Sequence, residues 1–189
     1  METNIEKVKE KKIRLFILEG LHGCGKTTLI ERFSDSDKVK IKKENFTEVS
    51  LAFQKFSPQS FITETMRLSA RIEDIANLVH ECRKDGIHNI LADRSLLSGG
   101  IYVIDPPCFF HPEGEGKLFM KMAIKLQDQL EKELNLCIEI IKLETSKEIL
   151  LERIKSRLIK EPERLLFNED DPKRIDDLIF NYDKRYPFL

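Results

Sequence analysis

The sequence predicts an α/β domain in which a parallel sheet of four or five strands carries helices on both faces. Three observations support this fold class. Short apolar runs alternate with amphipathic stretches of helical period along most of the chain. A glycine-rich loop, GLHGCGKT at 20–27, joins the first apolar run to the first helical stretch. Gly20, Glu44 and Asp93 fall where the first three strands are expected to end, the edge at which open α/β sheets bind ligands.

The elements follow in order. Residues 1–12, METNIEKVKEKK, are charged and read as a flexible arm. IRLFILE at 13–19 is a buried strand, and a helix over about 26–33 carries Leu29, Ile30 and Phe33. Val39, Ile41 and Phe46 suggest a second strand. Residues 58–85 hold apolar side chains at helical spacing, and Gly86 stops that helix as a C′ residue. Asn89–Ala92 is a short strand ending at Asp93, followed by a short helix over 96–104 that Pro106 and Pro107 close. After the loop DPPCFFHPEGEG come a helix over 117–134 and a fourth strand, CIEIIKL, at 137–143. Ser146 is placed to cap a helix reaching about Lys160. Pro162 and Pro172 bracket a charged loop before a last helix over 173–184. At 189 residues, one domain over 13–189 is expected.

The formal charge of −1 gives no bulk attraction for polyanions, so any such site must be local and no nucleic-acid partner is expected. The four cysteines, Cys24, Cys82, Cys108 and Cys137, lie far apart without C-x-x-C spacing, which implies neither a zinc site nor a disulfide framework. The N-terminus lacks an apolar segment of signal length and no later run approaches a membrane span, so a cytoplasmic setting without a membrane partner is expected.

Three of the eight glycines, Gly20, Gly23 and Gly25, fall within six positions. Glycine loses the most backbone freedom on folding, so the clustering needs a conformational cause. Gly20 to Thr27 match G-x-x-x-x-G-K-[ST] in the strand–loop–helix context the motif requires. In such a loop the main-chain N–H groups of Gly20, Leu21, His22, Gly23, Cys24, Gly25, Lys26, Thr27 and Thr28 surround the phosphates of ATP. Lys26 reaches the β- and γ-phosphates and the Thr27 hydroxyl holds Mg²⁺. Asp93 at the next strand end is a partner for the same ion, and Arg94 beside it can pair with a phosphate in two-pronged fashion. Cys24 reads as a small space-filler whose loop position could lower its pKa.

Here the sequence resembles the thymidylate kinase and deoxynucleoside kinase family. LEGLHGCGKTT is similar to the family's phosphate loop. In DRSLLSGGIY, Asp93, Arg94, Ser98 and Tyr102 fall on its D-R-x-x-x-S-x-x-x-[YF] pattern. MRLSARIEDI looks like its substrate helix, LETSKEILLERIKSR like its fourth strand, turn and lid approach, and DDLIFNYDKRY like the following helix. Only the glycine loop is specific alone; the others gain weight by order and spacing. The resemblance implies a three-layer P-loop fold with a short lid over about 157–172, and it leaves a homodimer open. It also implies an acceptor site of Lys43, Glu44, Arg67, Arg71, Arg94 and Tyr102, and lid arginines, here Arg153 and Arg157, that close over the phosphates. The sequence departs at His22, where the family usually has an acidic residue, and at Arg67, where it has phenylalanine. Lys43-Glu44-Asn45 replaces R-E-P-G-G-T, and the matching pattern ends before a fifth strand and final helix.

Phosphoryl transfer needs positioning and charge neutralisation more than covalent chemistry. With Cys24 before Gly25, the loop brings no cation besides Lys26, so Lys26, Arg94, Arg153 and Arg157 are the expected catalytic residues, with ATP and Mg²⁺ as cofactors. A small nucleotide or nucleoside is the expected partner. The leading reading is thymidylate kinase-like transfer to a nucleoside monophosphate. The alternatives are a deoxynucleoside kinase using Glu44 as base for a 5′-hydroxyl, a polynucleotide-end kinase, and a non-catalytic nucleotide-binding module. A regulatory GTPase is excluded by the lack of D-x-x-G and N-K-x-D.

Overall fold

The computed structural model describes residues 11–43, 61–102, 114–162 and 171–185. Strand β1, Ile13–Glu19, sends Ile13, Leu15 and Ile17 to one face and Phe16 and Leu18 to the other, the period-2 pattern of a central strand with both faces covered. The loop after it leads into helix α1, Lys26–Glu31, two residues shorter than expected; Phe33 lies beyond it and is 44% exposed. Strand β2, Val39–Lys42, follows; Phe46, expected in it, lies outside the described residues. Helix α2, Phe61–Asp85, buries Glu64, Leu68, Arg71, Ile75, Val79 and Cys82, spaced three or four apart on one stripe.

Strand β3, Asn89–Asp93, is followed by a 3₁₀ turn, Leu96–Ser98, and a single α-turn, α3, Gly99–Tyr102, where one short helix was expected. Helix α4, Glu115–Glu133, and strand β4, Leu136–Lys142, agree with the sequence reading to within two residues. Helix α5, Lys147–Lys160, is capped by Ser146, whose Oγ accepts from the Ile149 N–H at 3.5 Å. Helix α6, Pro172–Arg185, completes the described chain.

The sheet order is β2-β3-β1-β4, all parallel, so the described residues form four strands. One face carries the main core: Ile13, Leu15, Ile17, Ile90 and Leu136 meet α2, α4 and the inner residues of α6, with Phe119 fully buried and edge-on to Phe61 at 6.3 Å. On the other face Leu18 and Leu91 pack under Ile30 of α1. Helices therefore cover both faces, as the apolar runs implied.

Register sets the site. Leu18 pairs with Asp93, Glu19 with Lys142, and Lys42 with Ala92. All four strands thus stop at nearly one level, and Gly20, Lys43, Arg94 and Leu143 leave the sheet side by side. The ladder runs one step further, because Arg94 N–H donates to Leu18 O at 3.0 Å and Leu143 N–H to Glu19 O at 2.7 Å.

Candidate active site

The glycine loop crosses the top of β1. Gly20 has φ +151°, and a Cβ there would stand 2.7 Å from both the Leu143 carbonyl oxygen and Cys24 Sγ, so no larger residue fits this close approach. Gly25 is the residue before α1, at φ 104°. The loop folds around its own lysine: Lys26 Nζ donates to Gly20 O at 2.7 Å and Leu21 O at 3.0 Å, and lies 3.6 Å from Cys24 Sγ. Lys26 is 6% exposed. Burial, and after it the nearby Arg94 guanidinium, pull its ammonium below the ordinary lysine range, while Cys24, Asp93 and Glu19 act the other way.

Above the loop lies a cleft of about 780 Å³. Its cationic lining is Lys26, Arg32, Lys43, Arg94, Arg153 and Arg157; its only carboxylate among the described residues is Asp93. His22, Gly23, Cys24, Gly25, Thr27 and Thr28 complete the loop side. A chain of net charge −1 therefore concentrates positive charge at one place, the focused field that a polyphosphate needs. Arg153 Nη1 donates to Gly23 O at 3.0 Å, which pins α5 over the loop.

Arg94 adopts φ +69°, a conformation costly for a side-chain-bearing residue and characteristic of functional strain. It is 7% exposed, and its Nη2 stands 3.2 Å from His22 Nδ1. A guanidinium can only donate, so in this pair Nδ1 is the acceptor. His22, considered above as a phosphate-loop residue, thus also supports the arginine.

The other acceptor-site candidates are placed differently. Lys43 lines the cleft and is 3.8 Å from Glu31. Arg67 forms an ion pair with the buried Glu64 one turn earlier on α2, and Arg71 is buried on the same helix; neither borders the 780 Å³ cleft. Gly20 and Leu21 border a second cavity of about 370 Å³ between β4 and α6. Glu44 and the side chain of Tyr102 lie outside the described residues, as does 163–170 within the expected lid; Arg157 is in the last turn of α5.

Sequence reasoning gave no role to Glu19, which is fully buried and accepts four hydrogen bonds. The available signal was a carboxylate ending a largely apolar strand. Arg32 was also missed; it stands one turn along from Thr28 and lines the cleft.

Thr27 and Asp93 both face the cleft and offer hydroxyl and carboxylate oxygens, the hard donors that suit magnesium. No helix among the described residues is long and apolar enough to cross a membrane.

No family model and no curated protein matches this chain. Solved structures do. The fold is similar to a deoxyadenosine kinase from M. mycoides with bound dATP, at TM-score 0.56 and 22% identity over 91% of this chain and 84% of that one. It is similar also to a structure of deoxyadenosine kinase from M. mycoides with products dCMP and a flexible dCDP, at TM-score 0.57 and 21% identity over 92% of this chain and 83% of that one. The described residues thus form an α/β fold similar to that of these kinases, four parallel strands with helices on both faces.

Proposed function

We propose that this protein transfers the terminal phosphoryl group of ATP, bound with Mg²⁺, to a nucleoside monophosphate. The observation that carries the reading is the charge of the cleft: among the described residues, six cationic side chains face one carboxylate. A triphosphate alone would be served by Lys26, the loop amides and the arginines of α5. The further cations, Arg32, Lys43 and Arg94, line the same cleft, and a second phosphate would need them.

In this reading the amides of Gly20–Thr28 hold the donor phosphates, and Lys26 leaves its two carbonyl partners to meet the β- and γ-phosphates. Thr27 and Asp93 would hold Mg²⁺, which when bound offsets charge on the phosphates. An acceptor phosphate oxygen attacks the γ-phosphorus, the bond to the β,γ-bridging oxygen breaks, and ADP leaves. Arg153 and Arg157, both on α5 and lining the cleft, neutralise the charge spread over the transferring group. Arg94 aligns the acceptor phosphate, assisted by Lys43.

The likeness to deoxyadenosine kinase favours a second reading, transfer to a nucleoside 5′-hydroxyl with Glu44 accepting the proton. One experiment separates them: ATP and Mg²⁺ with panels of nucleosides, nucleoside monophosphates and 5′-hydroxyl oligonucleotides, with products resolved by chromatography. Monophosphates alone as acceptors, with Glu44→Gln retaining activity, is the expected result. Transfer only to nucleosides, lost in Glu44→Gln, replaces the first reading by the second. Nucleotide binding without transfer to any acceptor would leave a non-catalytic binding module.

A further inference from the structure

We infer that Glu19 is a positioning residue that aims the Arg94 guanidinium into the phosphate cleft. Glu19 Oε1 accepts from the Gly20 N–H at 3.1 Å, the first residue of the glycine loop. Its Oε2 accepts from the Ser95 N–H at 3.0 Å, Ser95 Oγ at 2.6 Å and Ser98 Oγ at 2.5 Å. One buried carboxylate therefore ties the loop to the turn that carries Arg94. Arg94 then reaches back through Nη2 to His22 Nδ1, on the same loop. The result is a closed ring: Glu19 to Ser95 by hydrogen bonds, Ser95 to Arg94 by main chain, Arg94 to His22 by hydrogen bond, and His22 to Gly20 by main chain.

The ring explains how Arg94 keeps φ +69°. An unfavourable backbone conformation persists where its surroundings over-determine it. The Arg94 N–H is fixed to Leu18 O, and both the N–H and hydroxyl of Ser95 are fixed to Glu19, so the main chain is held on either side. Four donors converge on Glu19, and a carboxylate is the one side chain of this size that only accepts. Glutamine keeps the shape but must turn an NH₂ toward a donor. A core carboxylate that merely fills space would have no reason to span two motifs, 76 residues apart, that face one cleft.

The inference rests on the cleft being a phosphate site, and the test separates the two. Binding of inorganic pentapolyphosphate with Mg²⁺, long enough to reach both the donor and the acceptor phosphate positions, is measured by calorimetry for wild type, Glu19→Gln, Arg94→Ala and the double variant. If Glu19 acts through Arg94, Glu19→Gln weakens binding about tenfold in the wild-type background and less than about twofold in Arg94→Ala, the non-additivity of groups acting as one unit. Equal losses in both backgrounds overturn the inference while leaving the phosphate site intact. No binding by wild type overturns the site and the inference together. If Glu19→Gln does not fold, Ser98→Ala decides: a loss of about threefold that disappears in the Arg94→Ala background supports the inference, and an unchanged or equal loss overturns it.

Discussion

Replacing Gly20 by alanine tests the loop where its geometry is tightest. The added methyl would stand 2.7 Å from the Leu143 carbonyl oxygen and from Cys24 Sγ, far inside the ~3.5–4.0 Å of an ordinary carbon contact. Neither neighbour yields freely. Leu143 is held by its N–H to Glu19 O at 2.7 Å, and Cys24 Sγ lies 3.6 Å from Lys26 Nζ. Backbone strain at φ +151° costs about 1–3 kcal/mol and overpacking about 1–3 kcal/mol, together about 2–6 kcal/mol. For a chain of this size that is a fall in Tm of roughly 4–24 °C. Any shift of Gly20 O also displaces the Lys26 ammonium it accepts from, so nucleotide affinity should fall with stability. Gly86, at φ +70° with nothing within 4 Å, is the control: alanine there meets strain but no clash. Urea unfolding and MgATP calorimetry on both variants make the comparison. Equal losses of stability, with wild-type nucleotide affinity in Gly20→Ala, would refute the reasoning.

Further expectations concern charge. Arg153→Ala should lower the transfer rate by about 10³-fold, as for other transition-state arginines, with under about 1 kcal/mol lost in unfolding because its Gly23 bond is exposed; a rate within about threefold of wild type would remove it from the mechanism. The lowered Lys26 pKa has a signed consequence. Below both its folded and unfolded values, the side chain is charged in both states and its burial costs stability. As pH rises through the folded value toward the ordinary 10.5, the unfolded chain binds more protons and this contribution to stability rises. A bound polyphosphate favours the charged ammonium, so within that window MgATP binding should take up protons. Calorimetry in buffers of different ionisation enthalpy reads the number; proton release there would contradict the assignment.

Much of this architecture is legible in the sequence because β1 and β3 are largely apolar runs closed by a carboxylate, and each long helix has a clean period. IRLFILE and CIEIIKL became neighbouring parallel strands, and Ser146 capped its helix as its position implied. The phosphate loop was legible because its glycines answer a backbone demand that few other residues satisfy. The rest depends on tertiary placement. Nothing in the sequence brings Ser95 and Ser98 to Glu19, since strand order and register decide that. Nor does spacing alone say that Arg67 pairs with Glu64, because arginine at helical spacing suits a ligand and a buried carboxylate equally. Phe33 was assigned to α1 by period, but the helix ends at Glu31 and leaves the ring half exposed.

The most direct test is the heat of MgATP binding to wild type and to Lys26→Ala. Wild type should bind one equivalent, and the variant should lose affinity by at least about a hundredfold, since it removes a buried cation that lines the cleft. Absence of wild-type binding, or undiminished affinity in Lys26→Ala, would mean that the amide-lined loop is not a phosphate site.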